Sequence, residues 1–304
     1  DQAGADEVRE LRRRLSTAIA TLRQRGVRRL YDLPGYVMIG PPGSGKTTAL
    51  RHSGLHFPVD SDGEESFRGV GGTRLCDWWF ADEAVLIDTA GRYTTQDSDR
   101  AVDRAGWLGF LDSLRKARPR QPVNGVVVMI SILDIASASP ETRAAHARQV
   151  RMRINELTEK LGLRIPVYLV FNKVDRLAGF QVFFDELDNA GRAQVLGTTF
   201  PVDGDVALFA SGFSALVERL ERRLIDRLQT ERAPERRALM SGFPLQVASL
   251  AEPINAFLDG AFRGSRIDQA PFLRGVYLTS ATQVGAPLDR LAGALARSFG
   301  IDQM

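Results

Sequence analysis

The sequence lacks the residues that build cross-links and membrane spans. Its 304 residues include a single cysteine, Cys76, which excludes a disulfide within the chain and favours a reducing compartment. It has no unbroken apolar run of about 18 residues, the length of a transmembrane helix, and no recognisable signal peptide. The chain begins with Asp1 rather than Met, which predicts that it is a piece of a longer protein.

An excess of one charge is also missing. The formal net charge is +3 and the pI about 9.2, too mild a bias to predict nucleic-acid binding. With 44% hydrophobic and 25% charged residues, the composition is that of an ordinary globular protein. Arginines do crowd residues 9–29, which indicates either a solvated helix face or a segment beside anionic lipid.

What the sequence does contain is a complete phosphate-loop pattern. GPPGSGKTT follows a short apolar strand and opens a helix, as the GxxxxGK[ST] motif requires. Glycines let successive N–H groups turn toward one point, and the helix adds its positive N-terminal end. We expect Lys46 to reach the β- and γ-phosphates and Thr47 to ligate Mg²⁺. The nucleotide-binding residues predicted in this loop are Gly40, Pro41, Gly43, Ser44, Gly45, Lys46, Thr47 and Thr48.

Apolar β-branched runs alternate with amphipathic stretches, which predicts an α/β fold with a mostly parallel sheet covered by helices on both faces. Strands are expected at 74–80, 84–87, 123–132, 166–171 and 275–278, and helices at 6–30, 104–117, 139–162 and 288–299. The passage 52–72 has no periodicity and is predicted to be an irregular loop.

The stretch 206–262 is nearly all helical by its apolar spacing, and it precedes the last predicted strand. This arrangement predicts a helical subdomain inserted into the α/β domain. The expected division is an N-terminal amphipathic, membrane-proximal helix at 1–33, a nucleotide-binding domain at 34–200 and 271–304, and a helical subdomain at 201–270.

A second motif, Asp88-Thr89-Ala90-Gly91, ends a predicted strand at the side of the sheet where α/β proteins bind ligands. Asp88 would hold Mg²⁺ through water, and the Gly91 N–H would meet the γ-phosphate. By itself DxxG also fits a strand-end capping aspartate, but its position after a phosphate loop and a hairpin favours the switch interpretation. Thr73 is the candidate switch threonine that would close on Mg²⁺ and the γ-phosphate, with a surface turn residue as the alternative.

The third and fourth motifs would recognise the base. In Asn172-Lys173-Val174-Asp175 the Asp175 carboxylate would accept from guanine N1–H and its exocyclic amine, a pattern that adenine does not offer. Asn172 would tie this loop to the phosphate loop, and the Lys173 stem would stack on the base. Ser280 and Ala281 would bring a backbone N–H to guanine O6. For the Asn172–Asp175 motif the alternative is an ordinary polar turn after a strand.

In their order these motifs resemble Ras-like GTPases, which implies a P-loop NTPase fold of the small-GTPase type. Where that family often places a glutamine after DxxG, this chain has Arg92, and a guanidinium cannot accept a proton from water. We therefore expect slow hydrolysis, or hydrolysis that uses Gln96 or a residue of a partner. Arg68 and Arg74 are candidates for transition-state charge in cis.

A closer resemblance covers almost the whole chain. The stretches that carry it are GPPGSGKTTAL, GTRLCDWWFADEAVLIDTAGRYTTQDS, GWLGFLDSLRKARPRQPVNGVVV, NKVDRLAGF and LRGVYLTSATQVG. They resemble the cytoplasmic domain of the TssM (IcmF-like) family of type VI secretion inner-membrane proteins. The resemblance implies a domain on the cytoplasmic face of the bacterial inner membrane, between transmembrane segments outside this fragment. It also implies TssL and TssJ as membrane-complex partners and baseplate proteins such as TssK on the cytoplasmic side.

Two functions from different classes follow from the sequence. The first is a conformational switch that binds Mg²⁺ and a nucleoside triphosphate and hydrolyses it slowly, with GTP favoured by NKVD and ATP as the other possibility. The second is a structural scaffold of the secretion complex that retains a vestigial nucleotide site, which Arg92 and the helical insertion favour. A stand-alone metabolic kinase fits poorly, because the sequence has no recognisable pocket for an acceptor substrate.

Overall fold

The computed structural model describes residues 33–57, 76–95, 100–265 and 268–280, together with parts of an N-terminal helix between residues 6 and 20. Its strands are β1 (Gly35–Ile39), β2 (Cys76–Phe80), β3 (Val85–Thr89), β4 (Gly125–Ser131), β5 (Pro166–Asn172), β6 (Leu196–Thr199) and β7 (Phe272–Leu278). Its helices after residue 33 are α1 (Lys46–Arg51), α2 (Gly91–Thr95), α3 (Arg100–Ala117), α4 (Ile132–Ala136), α5 (Pro140–Leu161), α6 (Phe180–Phe184), α7 (Asn189–Arg192), α8 (Leu208–Thr230), α9 (Pro234–Ala248) and α10 (Ala251–Phe262).

The strands of the described chain form one sheet in the order β2-β3-β1-β4-β5-β7-β6. The five central strands run parallel, while β2 and β6 pair antiparallel at the two edges. The predicted α/β fold with a mostly parallel sheet is therefore confirmed. Because parallel strands end at the same edge, the loops after β3, β1, β4, β5 and β7 follow one another along that edge, where α/β proteins bind ligands.

Two apolar clusters fill the two faces of the sheet, because successive strand residues point to opposite sides. The larger cluster joins the sheet to α3, α5, α8, α9 and α10 and includes the fully buried Trp107. The smaller cluster joins Met38, Trp79, Leu86 and Met129 to Leu50 of α1. The passage predicted as irregular contributes at its start to this second face, where the ring of Phe57 lies 5.6 Å from that of Trp79.

Capping residues explain why the observed boundaries of α5 agree closely with the predicted ones. At the start of α5 the Ser139 side chain accepts from the Thr142 N–H, and Pro140 takes the first helical position. Gly162 ends the helix with a φ of 67°, a conformation that glycine adopts without strain. Helices α8, α9 and α10 confirm the predicted helical stretch between β6 and β7. The proposed division into domains stays a prediction.

Some predicted elements lie partly or wholly outside the described residues. The predicted N-terminal helix is observed at the described positions between residues 6 and 20. There Val8 lies against α3, since a Cβ added at Gly109 would be 2.4 Å from the Val8 side chain. The helix predicted at 288–299 is not described. Among the helices that the structure describes, none combines the length and the apolar character needed to cross a bilayer.

Candidate functional site

The loop between β1 and α1 depends on glycine at two positions. Gly43 and Gly45 have φ values of 74° and 87°, a region that L-amino-acid side chains disfavour. At Gly45 an added Cβ would also lie 2.4 Å from the Asn172 amide nitrogen. Gly45 precedes the first residue of α1, and no side chain caps that helix. The first-turn N–H groups are thus left to face an anion.

Lys46 lies at the base of this loop with only 7% of its surface exposed. Its ammonium donates to the Gly40 carbonyl at 2.9 Å and makes longer contacts of 3.5 Å with the Pro41 carbonyl and the Ser44 hydroxyl. Burial lowers the pKa of Lys46, and the nearby Asp88 offsets part of this effect. The ammonium is therefore held by neutral oxygens in a setting where a polyphosphate would supply the missing negative charge.

Thr47 and Asp88 are brought together, as the sequence predicts for a metal site. The Thr47 hydroxyl donates to Asp88 Oδ2 at 2.7 Å. The Asp88 side chain is fully buried, and within the described chain its Oδ1 has no hydrogen-bond partner. Burial raises the pKa of Asp88, opposed by the Thr47 hydrogen bond and by Lys46. A hydroxyl beside a carboxylate with one free buried oxygen suits Mg²⁺, so the residues present fit the predicted metal.

The segment after Asp88 rests directly on the phosphate loop. An added Cβ at Gly91 would lie 2.4 Å from the Pro42 nitrogen, so only glycine permits this approach. One helical turn later, the buried Thr94 hydroxyl accepts a hydrogen bond from the Gly40 N–H at 3.0 Å. The sequence did not predict a role for Thr94, since Thr95 beside it is the same residue type and only the fold separates the two.

Arg92 is engaged by helix α3. Its guanidinium is ion-paired with Asp103, whose side chain is 1% exposed, and lies 4.8 Å from the centroid of the Tyr93 ring. Pairing with this buried carboxylate holds the Arg92 guanidinium against α3. The sequence could identify the substitution but not the partner, because Asp103 is eleven residues away with no pattern linking the two.

The end of β5 is tied to the phosphate loop by two side chains. Asn172 is fully buried and donates to the Ser44 carbonyl at 3.1 Å and to the Gly45 carbonyl at 3.4 Å. Lys173 reaches the same loop, with its ammonium donating to the Gly43 carbonyl at 2.7 Å. The predicted tie between these two loops is thus observed.

Asp175 connects the end of β5 to the end of β7. The Ser280 hydroxyl donates to Asp175 Oδ1 at 2.5 Å, and the Val174 N–H donates to the Thr279 carbonyl at 3.2 Å. These contacts bring two predicted base-binding residues, Asp175 and Ser280, side by side. Three predicted site residues lie outside the described residues: Thr73, Gln96 and Ala281. The same holds for Arg68 and Arg74.

Comparison with known proteins gives two sequence matches. The family model of the IcmF-related N-terminal domain matches residues 100–304, which is more than half of the chain. The type VI secretion system component TssM1 of Pseudomonas aeruginosa is 50% identical over 313 residues, which cover 99% of this chain. The chain spans 28% of the length of that relative.

Solved structures give weaker similarity. A small COPII coat GTPase SAR1 from Encephalitozoon cuniculi, in complex with GDP, has a TM-score of 0.31 and 9% identity, covering 93% of this chain and 79% of its own. The signal recognition particle receptor SRb-GTP/SRX complex from Chaetomium thermophilum has a TM-score of 0.33 and 18% identity, covering 87% of this chain and 98% of its own. At TM-scores of this size neither structure bears on function.

Proposed function

The chain belongs to the family of IcmF-related N-terminal domains, and on that premise we propose that it is the nucleotide-binding domain of a type VI secretion membrane-complex protein of the TssM type. The observation that carries this proposal is the buried Lys46 at the base of a glycine loop, beside the Thr47–Asp88 pair. A cation, a hydroxyl and a carboxylate oxygen in this arrangement match the needs of a triphosphate and its Mg²⁺.

The proposed ligand is Mg²⁺ with GTP, and ATP is the competitor that the experiments must separate. Lys46 and the loop N–H groups would hold the β- and γ-phosphates, while Thr47 and Asp88 would hold the metal. Bound Mg²⁺ would neutralise charge on the phosphates. Asp175 would read the guanine edge, since a carboxylate accepts from two neighbouring N–H groups that adenine lacks.

Hydrolysis would be slow and would serve as a reset of a conformational switch. Lys46 and Gly91 would stabilise the transferring phosphoryl group, and Thr73 and Gln96 are proposed to complete the site. The Arg92–Asp103 pair supports a low rate, because the residue after DTAG is not available to orient water. The changing surface would then be offered to secretion partners.

The setting is proposed from the family. TssL and TssJ are the proposed partners in the membrane complex, and TssK and other baseplate proteins are the proposed cytoplasmic contacts. The proposed location is the cytoplasmic face of the inner membrane, with attachment through segments outside this fragment. The near-balanced net charge of +3 argues against nucleic acid as a partner.

Titration of the purified domain with Mg²⁺-GTP and Mg²⁺-ATP, in a calorimeter, tests the proposal. Wild-type protein should bind, and Lys46→Ala should weaken binding by about 100-fold, because it removes a charge-assisted contact from a buried site. Lys160→Ala, on the exposed end of α5, is the matched control and should bind like the wild type. Circular dichroism should show the same fold in all three proteins. Unchanged affinity in Lys46→Ala would refute the proposal.

The scaffold function is the second candidate, and the engagement of Arg92 by Asp103 is the observation that favours it. In that case the domain would hold the membrane complex together without nucleotide turnover. Secretion measured in cells that carry Lys46→Ala in the full-length protein separates the two candidates. Loss of secretion supports the switch, and secretion at the wild-type level supports the scaffold.

A further inference from the structure

Gly40, at the start of the phosphate loop, is held through both of its backbone polar groups. The Gly40 N–H donates to the Thr94 hydroxyl of α2 at 3.0 Å, and the Gly40 carbonyl accepts from the Lys46 ammonium at 2.9 Å. Thr94 is 3% exposed and Lys46 is 7% exposed, so water does not compete strongly for either hydrogen bond. The Thr94 side chain and the Lys46 ammonium therefore hold the two peptide groups that flank the Cα of Gly40.

Helix α2 is itself fixed from two sides. Its first residue, Gly91, lies against Pro42 of the phosphate loop. On the other side, Arg92 is ion-paired with the buried Asp103 of α3, and the ring of Tyr93 lies 6.3 Å from that of Trp107. The position of the Thr94 hydroxyl thus follows from the packing of α2 on α3.

We propose that Thr94 is a positioning residue that couples α2 to the phosphate-binding lysine through Gly40. The inference rests on the proposed function and adds to it a residue that no motif identifies. By accepting from the Gly40 N–H, Thr94 anchors the backbone of Gly40, and the carbonyl of the same residue holds the Lys46 ammonium in place. Any shift of α2 that accompanies contact between Gly91 and a terminal phosphate is transmitted to Lys46 through the backbone of Gly40.

The coupling has a consequence that a purely structural hydrogen bond lacks. A triphosphate presents a terminal phosphate to both Gly91 and Lys46, whereas a diphosphate has none to offer to Gly91. Breaking the link at Thr94 should therefore weaken triphosphate binding more than diphosphate binding. A bond that served stability alone would affect both ligands equally.

The test compares Thr94→Val, which keeps the shape but removes the acceptor, with Thr94→Ser, which keeps the hydroxyl. Thr95→Val, on the adjacent half-buried position of the same helix, is the matched control. Two quantities are measured: hydrogen exchange of the Gly40 amide in nucleotide-free protein, and the ratio of affinities for a non-hydrolysable Mg²⁺-GTP analogue and Mg²⁺-GDP. Thr94→Val should speed Gly40 exchange and reduce the affinity ratio, each by about tenfold, because a buried N–H loses its partner.

Thr94→Ser and Thr95→Val should stay close to the wild type in both measurements. If Thr94→Val fails to fold, Thr94→Ala replaces it with the same expected results. Wild-type Gly40 protection in the variant, an unchanged affinity ratio, or equal losses in Thr94→Val and Thr95→Val would each overturn the inference while leaving nucleotide binding intact. Absence of binding in wild-type protein would instead overturn the proposed function and this inference with it.

Discussion

The phosphate-loop site and the helices α8, α9 and α10 are stabilised by different interactions. At the site, buried polar groups from distant parts of the sequence meet, with Lys46, Asp88 and Asn172 each less than a tenth exposed. Around α9, by contrast, the contacts are aromatic: the ring of Phe243 lies 4.8 Å from that of Phe183 and 5.5 Å from that of Phe184. The difference is that buried polar contacts order the first region, whereas apolar packing holds the second together.

Ion pairs add to the helical region but do not dominate it. Arg227 is buried and donates to the Val182 carbonyl at 2.9 Å and to Asp185 at 2.7 Å. Arg236 pairs with Asp185 and Glu231, and these hydrogen bonds raise the pKa of Arg236. The two carboxylate partners of Arg227, Asp185 and Glu186, are 40% and 45% exposed, and pairs that water can reach contribute little to stability. The aromatic cluster is therefore the better place to test where stability resides.

The largest expected effect is on stability, from Phe243→Ala in α9. Phe243 is fully buried, so the truncation leaves a cavity and should lower the free energy of unfolding by about 3–5 kcal/mol. Leu245→Ala, on the same helix at a side chain that is 58% exposed, should change it by less than about 0.5 kcal/mol. Urea unfolding monitored by circular dichroism measures both variants.

Phe243→Ala also tests whether the helical region is independent of the phosphate-loop site. An added Cβ at Gly179, shortly after the predicted base motif, would lie 2.4 Å from the Leu239 carbonyl and 3.1 Å from Phe243. The helices therefore touch the loop that follows the site. If folded Phe243→Ala also loses nucleotide affinity, the two regions are coupled through Gly179 rather than independent.

The sequence predicted the elements whose signals are local. The phosphate loop, the helix start at Ser139-Pro140 and the buried strands β4 and β5 are each specified by residues within a few positions of one another. Strand β6 was not predicted, because its four residues, LGTT, have no alternating pattern and are ordered by pairing with β7. Short helices α6 and α7 were missed for the same reason, since tertiary contacts stabilise helices of this length.

In the site, the predictable residues were those of the motifs, and the unpredictable ones were their supports. Thr94 and Asp103 act through contacts with Gly40 and Arg92 that depend on how α2 packs on the sheet and on α3. Neither their residue type nor their spacing from the motifs singles out Thr94 and Asp103 among the residues around them. Residues that would touch a ligand are therefore easier to identify from a single sequence than the residues that hold them in place.

The next largest expected effect is on the preference for GTP over ATP, and it comes from Asp175→Asn. The amide oxygen can still accept from the Ser280 hydroxyl, so the junction of β5 and β7 should survive. Loss of the charged acceptor should weaken GTP by about tenfold or more and leave ATP nearly unchanged. Asp226→Asn, on an exposed position of α8, is the control for removing a carboxylate. Competition between the two nucleotides measures the effect, and equal changes for both would exclude guanine recognition by Asp175.

The smallest effect is the pH dependence that Asp88 gives to the metal-free protein. Burial raises the pKa of Asp88, so its contribution to stability is complete below the unfolded value of about 3.9 and is lost as the pH rises through the higher folded value. The free energy of unfolding of wild type minus that of Asp88→Asn should therefore fall across this window and then level off. Urea unfolding at a series of pH values with EDTA present measures this difference. A difference that rises with pH would mean that the ionised carboxylate is already stabilised without a metal. Burying Asp88 would then cost no stability, and in this respect the site would not differ from the helical region.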